Sequence, residues 1–333
     1  MTAGLVRRLL TDGLAAGDGA QAGPLTLVPL LGGAPAGPYV LCAEALGSGM
    51  LTITEQDVAS VPELVAANAG DLPALLLDGE HLEGARQHRI LNTTVLVPAR
   101  SRTVIPVSCV ERGRWHVQGR PDFAPSDVHA YARLRTLNKE QVARSARAGR
   151  GRATDQGAVW KDVAERSTEL GAAPSATGWM GDAIRDRRAA IEETLRAFPG
   201  PRAGQVGVVA CVGGRPVALD VFDRPETLAP LWERLVRGYA MDAIGAEPEP
   251  SGRADVDRFL EAAAAADATE HDGVGLGTEV VLTSPEVVGS ALVWEGAVVH
   301  AAAFARRREA ASPRRRSRPI ARPSRRAHFH RAT

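Results

Sequence analysis

The sequence predicts an α+β fold: an N-terminal antiparallel β-sandwich-like lobe, a helical middle and a smaller C-terminal α+β lobe with an antiparallel sheet. Three patterns predict it. Between Pro24 and Phe123, short apolar runs of strand character recur about every ten residues, with Gly, Pro and Asn between them. After Phe123 the apolar spacing lengthens from about two to about 3.6 residues, the period of a helix face. Beyond residue 205, strand-like runs return as a hairpin around Gly213 and Gly214, followed by helices and further strands.

Residues 1–23 form an Ala/Gly-rich leader, expected to be flexible with at most a helical turn or two. In the β-rich lobe, 24–123, strands are expected at 25–31, 39–46, 51–54, 63–68, 74–78, 89–97 and 102–110. Strand parity puts Leu91, Val95 and Val97 on one face with Arg89 and Thr93. It likewise groups Thr103, Ile105, Val107 and Cys109. In the helical segment, 124–200, three helices are marked by Val128/Tyr131/Leu134/Leu137, by Val159/Trp160/Val163 and by Ile184/Ile191/Leu195/Phe198. Between the first two, RSARAGRGRATDQG reads as a mobile basic loop. The α+β lobe, 201–305, starts with the hairpin. Asp223 and Glu226 then bracket Pro225 as a capping box for a helix with the stripe Leu228, Leu231, Trp232, Leu235 and Tyr239. A helix near 256–266 leads into strands at 277–283, 287–294 and 297–304.

Of the chain's 333 residues, 44% are apolar and 24% charged, enough for one large core or two ordinary ones. Three scattered cysteines, Cys42, Cys109 and Cys211, suit reduced thiols, and no apolar run approaches the roughly 20 residues that span a bilayer. A cytoplasmic protein without membrane contact is expected. Residues 306–333 hold eleven arginines and one acidic residue, which leaves the body at −9 and this tail at +10. The tail is too polar and Pro-interrupted to fold alone and is expected to be disordered. It reads as a solvated end that partly neutralises the body, with nucleic acid expected only as a weak tail contact.

The densest chemistry lies between Leu75 and Trp115, LLLDGEHLEGARQHRILNTTVLVPARSRTVIPVSCVERGRW. Polar groups held among half-buried strands must be hydrogen-bonded or serve a ligand. Glu80 and Glu111 are the candidate acid/base carboxylates. Gln87, Arg89, Asn92 and Arg114 are the candidate ligand contacts, a guanidinium fork for phosphate with amides for ribose or base edges. The alternative is a structural network in which a buried Arg89 pairs with Glu80 or Glu111. Cys109 reads as a small core residue rather than a nucleophile, as do Cys42 and Cys211. No metal site is expected, because His81, His88, His116 and His129 lack ligand spacing; no phosphate-binding or nucleophile-elbow motif occurs either.

This run resembles the signature of the ARG and rhodanese-phosphatase-superfamily-associated protein domain, a bacterial family of uncharacterised activity. The later stretch GVVACVGGRPVALDVFDRPETLAPLWERLVRGYAMDAI is similar to it as well, so the likeness spans most of 24–305. The resemblance implies gene-neighbourhood partners that act on ADP-ribose or NAD, ADP-ribosylglycohydrolases among them. It carries over no demonstrated catalytic residue and no known cofactor, so Glu80, Gly84, Gln87, Arg89, Asn92, Cys109, Glu111, Arg114 and Trp115 stand as motif positions only. Two functions from different classes follow: binding or processing of an ADP-ribose-related nucleotide, or a non-catalytic interaction or scaffold protein with a structural polar network. Whether the motif side chains converge on a cleft separates them.

Overall fold

The computed structural model describes residues 2–56, 61–117 and 121–306, so the Arg-rich tail from residue 307 onward lies outside the described residues. The first half of the chain runs α1 (Thr2–Thr11), β1 (Leu14–Ala16), β2 (Ala20–Ala22), β3 (Leu25–Gly32), β4 (Val40–Leu41), α2 (Cys42–Gly47), β5 (Leu51–Thr54), β6 (Glu63–Asn68), β7 (Ala74–Leu76), β8 (His81–Gly84), β9 (Arg89–Leu91), β10 (Val95–Val97), β11 (Ser101–Cys109) and β12 (Phe123–Pro125). Helices α3 (Ala132–Arg147), α4 (Gln156–Glu169), α5 (Met180–Asp186) and α6 (Arg188–Arg196) follow. The chain then forms β13 (Gln205–Val212), β14 (Arg215–Phe222), α7 (Pro225–Ala243), α8 (Arg253–Ala264), β15 (Asp267–Asp272), β16 (Thr278–Thr283), β17 (Val287–Trp294) and β18 (Ala297–Ala305). The fold is α+β, as its sequence patterns predict.

A large antiparallel sheet of order β1-β3-β13-β14-β18-β17-β16-β15, with β2 also on β3, forms the middle layer. One face packs Leu228, Leu231, Trp232 and Leu235 of α7 against Leu25, Val208, Phe222 and Phe304. The other packs Val6 and Leu10 of α1 and Phe259 and Ala263 of α8 against Val28, Leu30, Leu219 and Val280. Both faces are covered, so the strands read as continuous apolar runs. The motif lobe is a six-stranded sheet, β12-β8-β9-β11-β6-β5, curled so that β12 approaches β5 around Leu51, Ile53, Leu64, Leu91 and Phe123. A small sheet, β10-β7-β4, sits between the two larger ones.

Several expectations change. The leader is a ten-residue helix plus two strands, because Val6 and Leu10 bury against α8 and the large sheet. Strand β3, expected in the first lobe, is hydrogen-bonded to β13 in the large sheet. The run at 39–46 extends only through Val40–Leu41 before Cys42–Gly47 turns helical, in keeping with its Ala, Glu and Leu. The predicted strand 89–97 splits at Asn92–Thr94 into β9 and β10, which enter different sheets. At α7 the N-cap is Arg224, with no side-chain cap; Asp223 instead accepts from Ala36 N and Thr227 Oγ1. The loop after α3 is pinned by Arg152, which meets Glu279 at 2.8 Å.

The lobes are also stitched by backbone. Leu276 N donates to Leu96 O at 2.8 Å, and Gly275, at φ +91°, lies so close that a Cβ would sit 2.2 Å from Leu96 O. A Gly275→Ala variant is therefore expected to lose roughly 1–3 kcal/mol of stability. A urea-unfolding midpoint equal to the parent's would show that this junction does not hold the lobes.

Candidate functional site

Four of the six motif candidates meet in one network. Arg114 clamps Glu111: Nε lies 3.0 Å from both carboxylate oxygens and Nη2 lies 2.8 Å from Oε2. Its Nη1 donates to the carbonyls of Ala85 and His116. Gln87 Nε2 donates to the Glu111 carbonyl at 2.9 Å, and Arg89 Nη1 reaches Gln87 Oε1 at 3.3 Å. His88 N donates to Glu111 Oε2, and the His88 ring stacks on Trp179 with centroids 4.4 Å apart. Burial alone would raise the Glu111 carboxyl; the Arg114 guanidinium and His88 outweigh it and hold the group below its usual value. Burial also lowers the His81 and His88 imidazoles to about 4, so both are neutral at pH 7.

Glu80 and Asn92 lie apart from that network. Glu80 Oε2 accepts from Leu77 N at 3.1 Å and Oε1 lies 3.4 Å from Arg234, with the Cys42 thiol alongside. Burial pushes the Glu80 carboxyl up. Asn92 Oδ1 accepts from Ser108 and its Nδ2 donates to Arg152 O. Arg89 pairs with neither Glu80 nor Glu111 but faces Glu55 at 3.6 Å, and its Nε and Nη2 have no hydrogen-bond partner. All six candidates are at most 3% exposed. Neither the open groove beside Arg112 nor the shallow cleft between α1 and α8 is lined by any of them. Cys109 is fully buried, its thiol raised by burial and donating to Glu111 O, as expected of a core cysteine.

A second buried cluster, between the lobes, contains none of the six candidates; of its members only Asp78 lies in the 75–115 motif. Arg135 of α3 donates to Asp220 on β14 at 2.9 and 2.6 Å and to Asp78 at 3.0 Å. Lys139, one turn on, lies 3.4 Å from Asp78 and donates to Ser290 at 2.7 Å. His300 lies between Asp220 and Thr94 and stacks on Phe222, while Tyr239 donates to Asp220. Burial would raise both aspartates, but Arg135, with Lys139 or His300, holds them well below the usual carboxylate range. Asp78, Asp220 and His300 bring ligand-type atoms within 4.8 Å of one another. The Arg135 guanidinium, bonded to both aspartates, already supplies the positive charge a metal would bring. Gly79, at φ +76°, lets Arg135 pass: a Cβ there would meet Arg135 Cδ at 2.8 Å. The signals in the sequence were Asp220 inside the apolar run VALDVF and Lys139, one of only two lysines, four residues after Arg135.

Fold and network together define an α+β module organised around internal polar clusters. The chain belongs to the ARG and Rhodanese-Phosphatase-superfamily-associated Protein domain family, which matches residues 13–304. That span runs from just before β1 into β18 and leaves out α1 and the tail. No curated protein and no solved structure matches the chain.

Removing one member of the inter-lobe cluster strands the others in the interior. Asp220→Asn is expected to cost about 3–5 kcal/mol, and the neutralising pair Asp220→Leu with Arg135→Met to recover much of it. A double variant no more stable than the single one in urea would show that charge balance is not what Asp220 supplies. His129, whose Nε2 lies 2.7 Å from Asp78 O, is lowered by burial from 6.5 to about 3. The unfolded chain takes up that proton near 6.5 and the folded chain does not, so stability is complete above that pH and falls toward pH 4. His129→Gln should flatten this acid limb by up to about 1.4 kcal/mol per pH unit, measured as unfolding midpoint against pH.

Proposed function

We propose that this chain is a non-catalytic interaction or scaffold protein whose polar motif is internal structure, with ADP-ribose-metabolising proteins as its partner class. One observation carries the reading: the six carboxylate, amide and guanidinium side chains are sealed, and most of their bonds run to one another or to backbone, the rest to side chains such as Ser108 and Arg234. A general acid or base must come within hydrogen-bond reach of its substrate. Glu80 and Glu111 instead contact Leu77 N, Arg234, Arg114 and His88. A closed network of this kind fixes loop geometry and specifies the fold.

A second reading is favoured by one feature. Arg89 is 0% exposed, yet its Nε and Nη2 lack hydrogen bonds, as do the Glu55 oxygens that it faces at 3.6 Å. A buried guanidinium edge left unused is the kind of group that takes a phosphate or carboxylate in two parallel bonds. In that reading Arg89, with Gln87, Asn92 and Arg114, binds an ADP-ribose or NAD-related nucleotide, and Glu80 and Glu111 process it.

A thermal-shift panel separates the two, because a ligand that binds only the folded chain raises stability by mass action. ADP-ribose, NAD and inorganic pyrophosphate, each at millimolar concentration, are expected to leave the midpoint unchanged. A saturable rise with ADP-ribose that disappears in Arg89→Lys would replace the scaffold reading with the nucleotide one.

A further inference from the structure

The network around Glu111 and Arg114 lies directly beneath an exposed loop. Arg114 turns inward, and its bonds to Glu111, Ala85 O and His116 O hold the segment 111–117 against the turn at 85–88. Ala85 itself is buried at φ +45°, a left-handed conformation that a non-glycine residue adopts only where its surroundings enforce it. Backbone bonds from Arg112 N and Gly113 N to Thr177 O fasten the other side of the loop. What this pinned loop displays is apolar and cationic. Trp115 is 45% exposed and Val117 51% exposed.

Arg112, in the same loop, borders an open groove of about 800 Å³ along the outer face of α4, with Trp160 and Lys161 among its lining residues. The Arg86 guanidinium lies over the Trp115 ring and that of Arg112 over the Trp160 ring, each 5.8 Å from the centroid. Among the described residues neither guanidinium meets a carboxylate. The acidic residues on the groove are paired: Glu165 with Arg133 at 2.8 Å and Lys161 at 3.8 Å, and Glu169 with Arg133 at 2.7 Å and Arg166 at 3.0 Å. The charges left without a carboxylate on this face are therefore the two guanidinium groups of Arg86 and Arg112, on a body whose residues before the tail sum to −9.

We propose that Arg86, Arg112, Trp115, Val117, Trp160 and Lys161 form a docking surface for an acidic protein segment that also carries apolar side chains. The proposal rests on the interaction-module reading and gives that module its contact face. Exposed tryptophan and arginine are the residues on which binding energy concentrates, and a loop held in place beforehand loses little entropy on binding. The groove is open rather than enclosed, whereas small-molecule sites bury most of their ligand. Its charge selects an acidic partner and repels the chain's own Arg-rich tail. The buried motif then supports the display: Glu111 and Arg114 hold Trp115 and Arg112 in position without touching the partner.

The test uses the full-length chain and a fluorescent random glutamate–tyrosine copolymer, with binding read by anisotropy. Arg112→Glu with Lys161→Glu should weaken binding roughly tenfold, and Trp115→Ala should weaken it roughly threefold or more. Arg253→Glu with Arg258→Glu, the same charge change on exposed α8, should change it less than about twofold. Equal weakening by the two charge-reversal pairs, or none by either, would assign the polymer to diffuse charge or to the tail and overturn the proposal. So would oligothymidylate binding that is tighter than copolymer binding and lost in Trp115→Ala, which would make the face a nucleic-acid platform. A midpoint rise with ADP-ribose alone bears on the interaction reading; unchanged copolymer binding in the surface variants bears on this face.

Discussion

Arg135 is a buried cation that meets one aspartate from each lobe, Asp78 beside the motif strands and Asp220 in the large sheet. Most of the architecture depends on that bridge. A guanidinium out of water is tolerable only when opposite charge and hydrogen bonds surround it. Here the two aspartates supply the charge, Tyr239 and His300 tie Asp220 to α7 and β18, and Lys139 balances the remaining carboxylate. Phe304 lies beneath the guanidinium at 4.7 Å. The helix that carries both cations is itself positioned by charge: Asp242 of α7 accepts from the first amides of α3, a carboxylate at the positive end of a helix. The orientation of the lobes is thus an electrostatic arrangement set inside apolar packing, supplemented by the Leu96–Leu276 backbone contact.

The motif network extends the same principle outward. Its members are sealed, but they hold three irregular segments together: the turn at 85–88, the loop at 111–117 and the loop around Thr177. Irregular backbone at a surface is ordinarily mobile. Five Arg114 hydrogen bonds below the loop at 111–117 and two backbone N–H bonds beside it fasten that segment to its neighbours. A dense polar motif can accordingly hold a surface loop from beneath. Arg89 is bound more loosely: it faces Glu55 at 3.6 Å, and its Nε and Nη2 make no hydrogen bond.

Much of the fold was legible in the sequence because local signals and tertiary outcome agree. The Gly213–Gly214 hairpin has both glycines at positive φ, the α7 stripe faces the sheet, and the last strands fall close to their predicted positions. Legibility failed where local and distant preferences compete. Asn92–Thr94 interrupts an apolar run because its side chains bond Ser108, Glu279 and His300 on other elements, information no window around residue 93 contains. The helix at Thr2–Thr11 forms because α8, about 250 residues later, offers an apolar face.

For the site, residue identity alone concentrated attention on Glu80, Gln87, Arg89, Asn92, Glu111 and Arg114, and all six do prove to be buried polar groups. Composition and periodicity also determined the α+β class, the order of lobes and the core cysteines. Tertiary structure decided the rest. It paired Arg114 with Glu111 and turned Arg89 toward Glu55, joined β3 to β13, and assembled Asp78, Arg135, Lys139, Asp220 and His300 from segments far apart in the chain. The physical reason is range. Periodicity reports which face a residue buries, whereas the partner of a buried charge is chosen by whichever distant element packs against it.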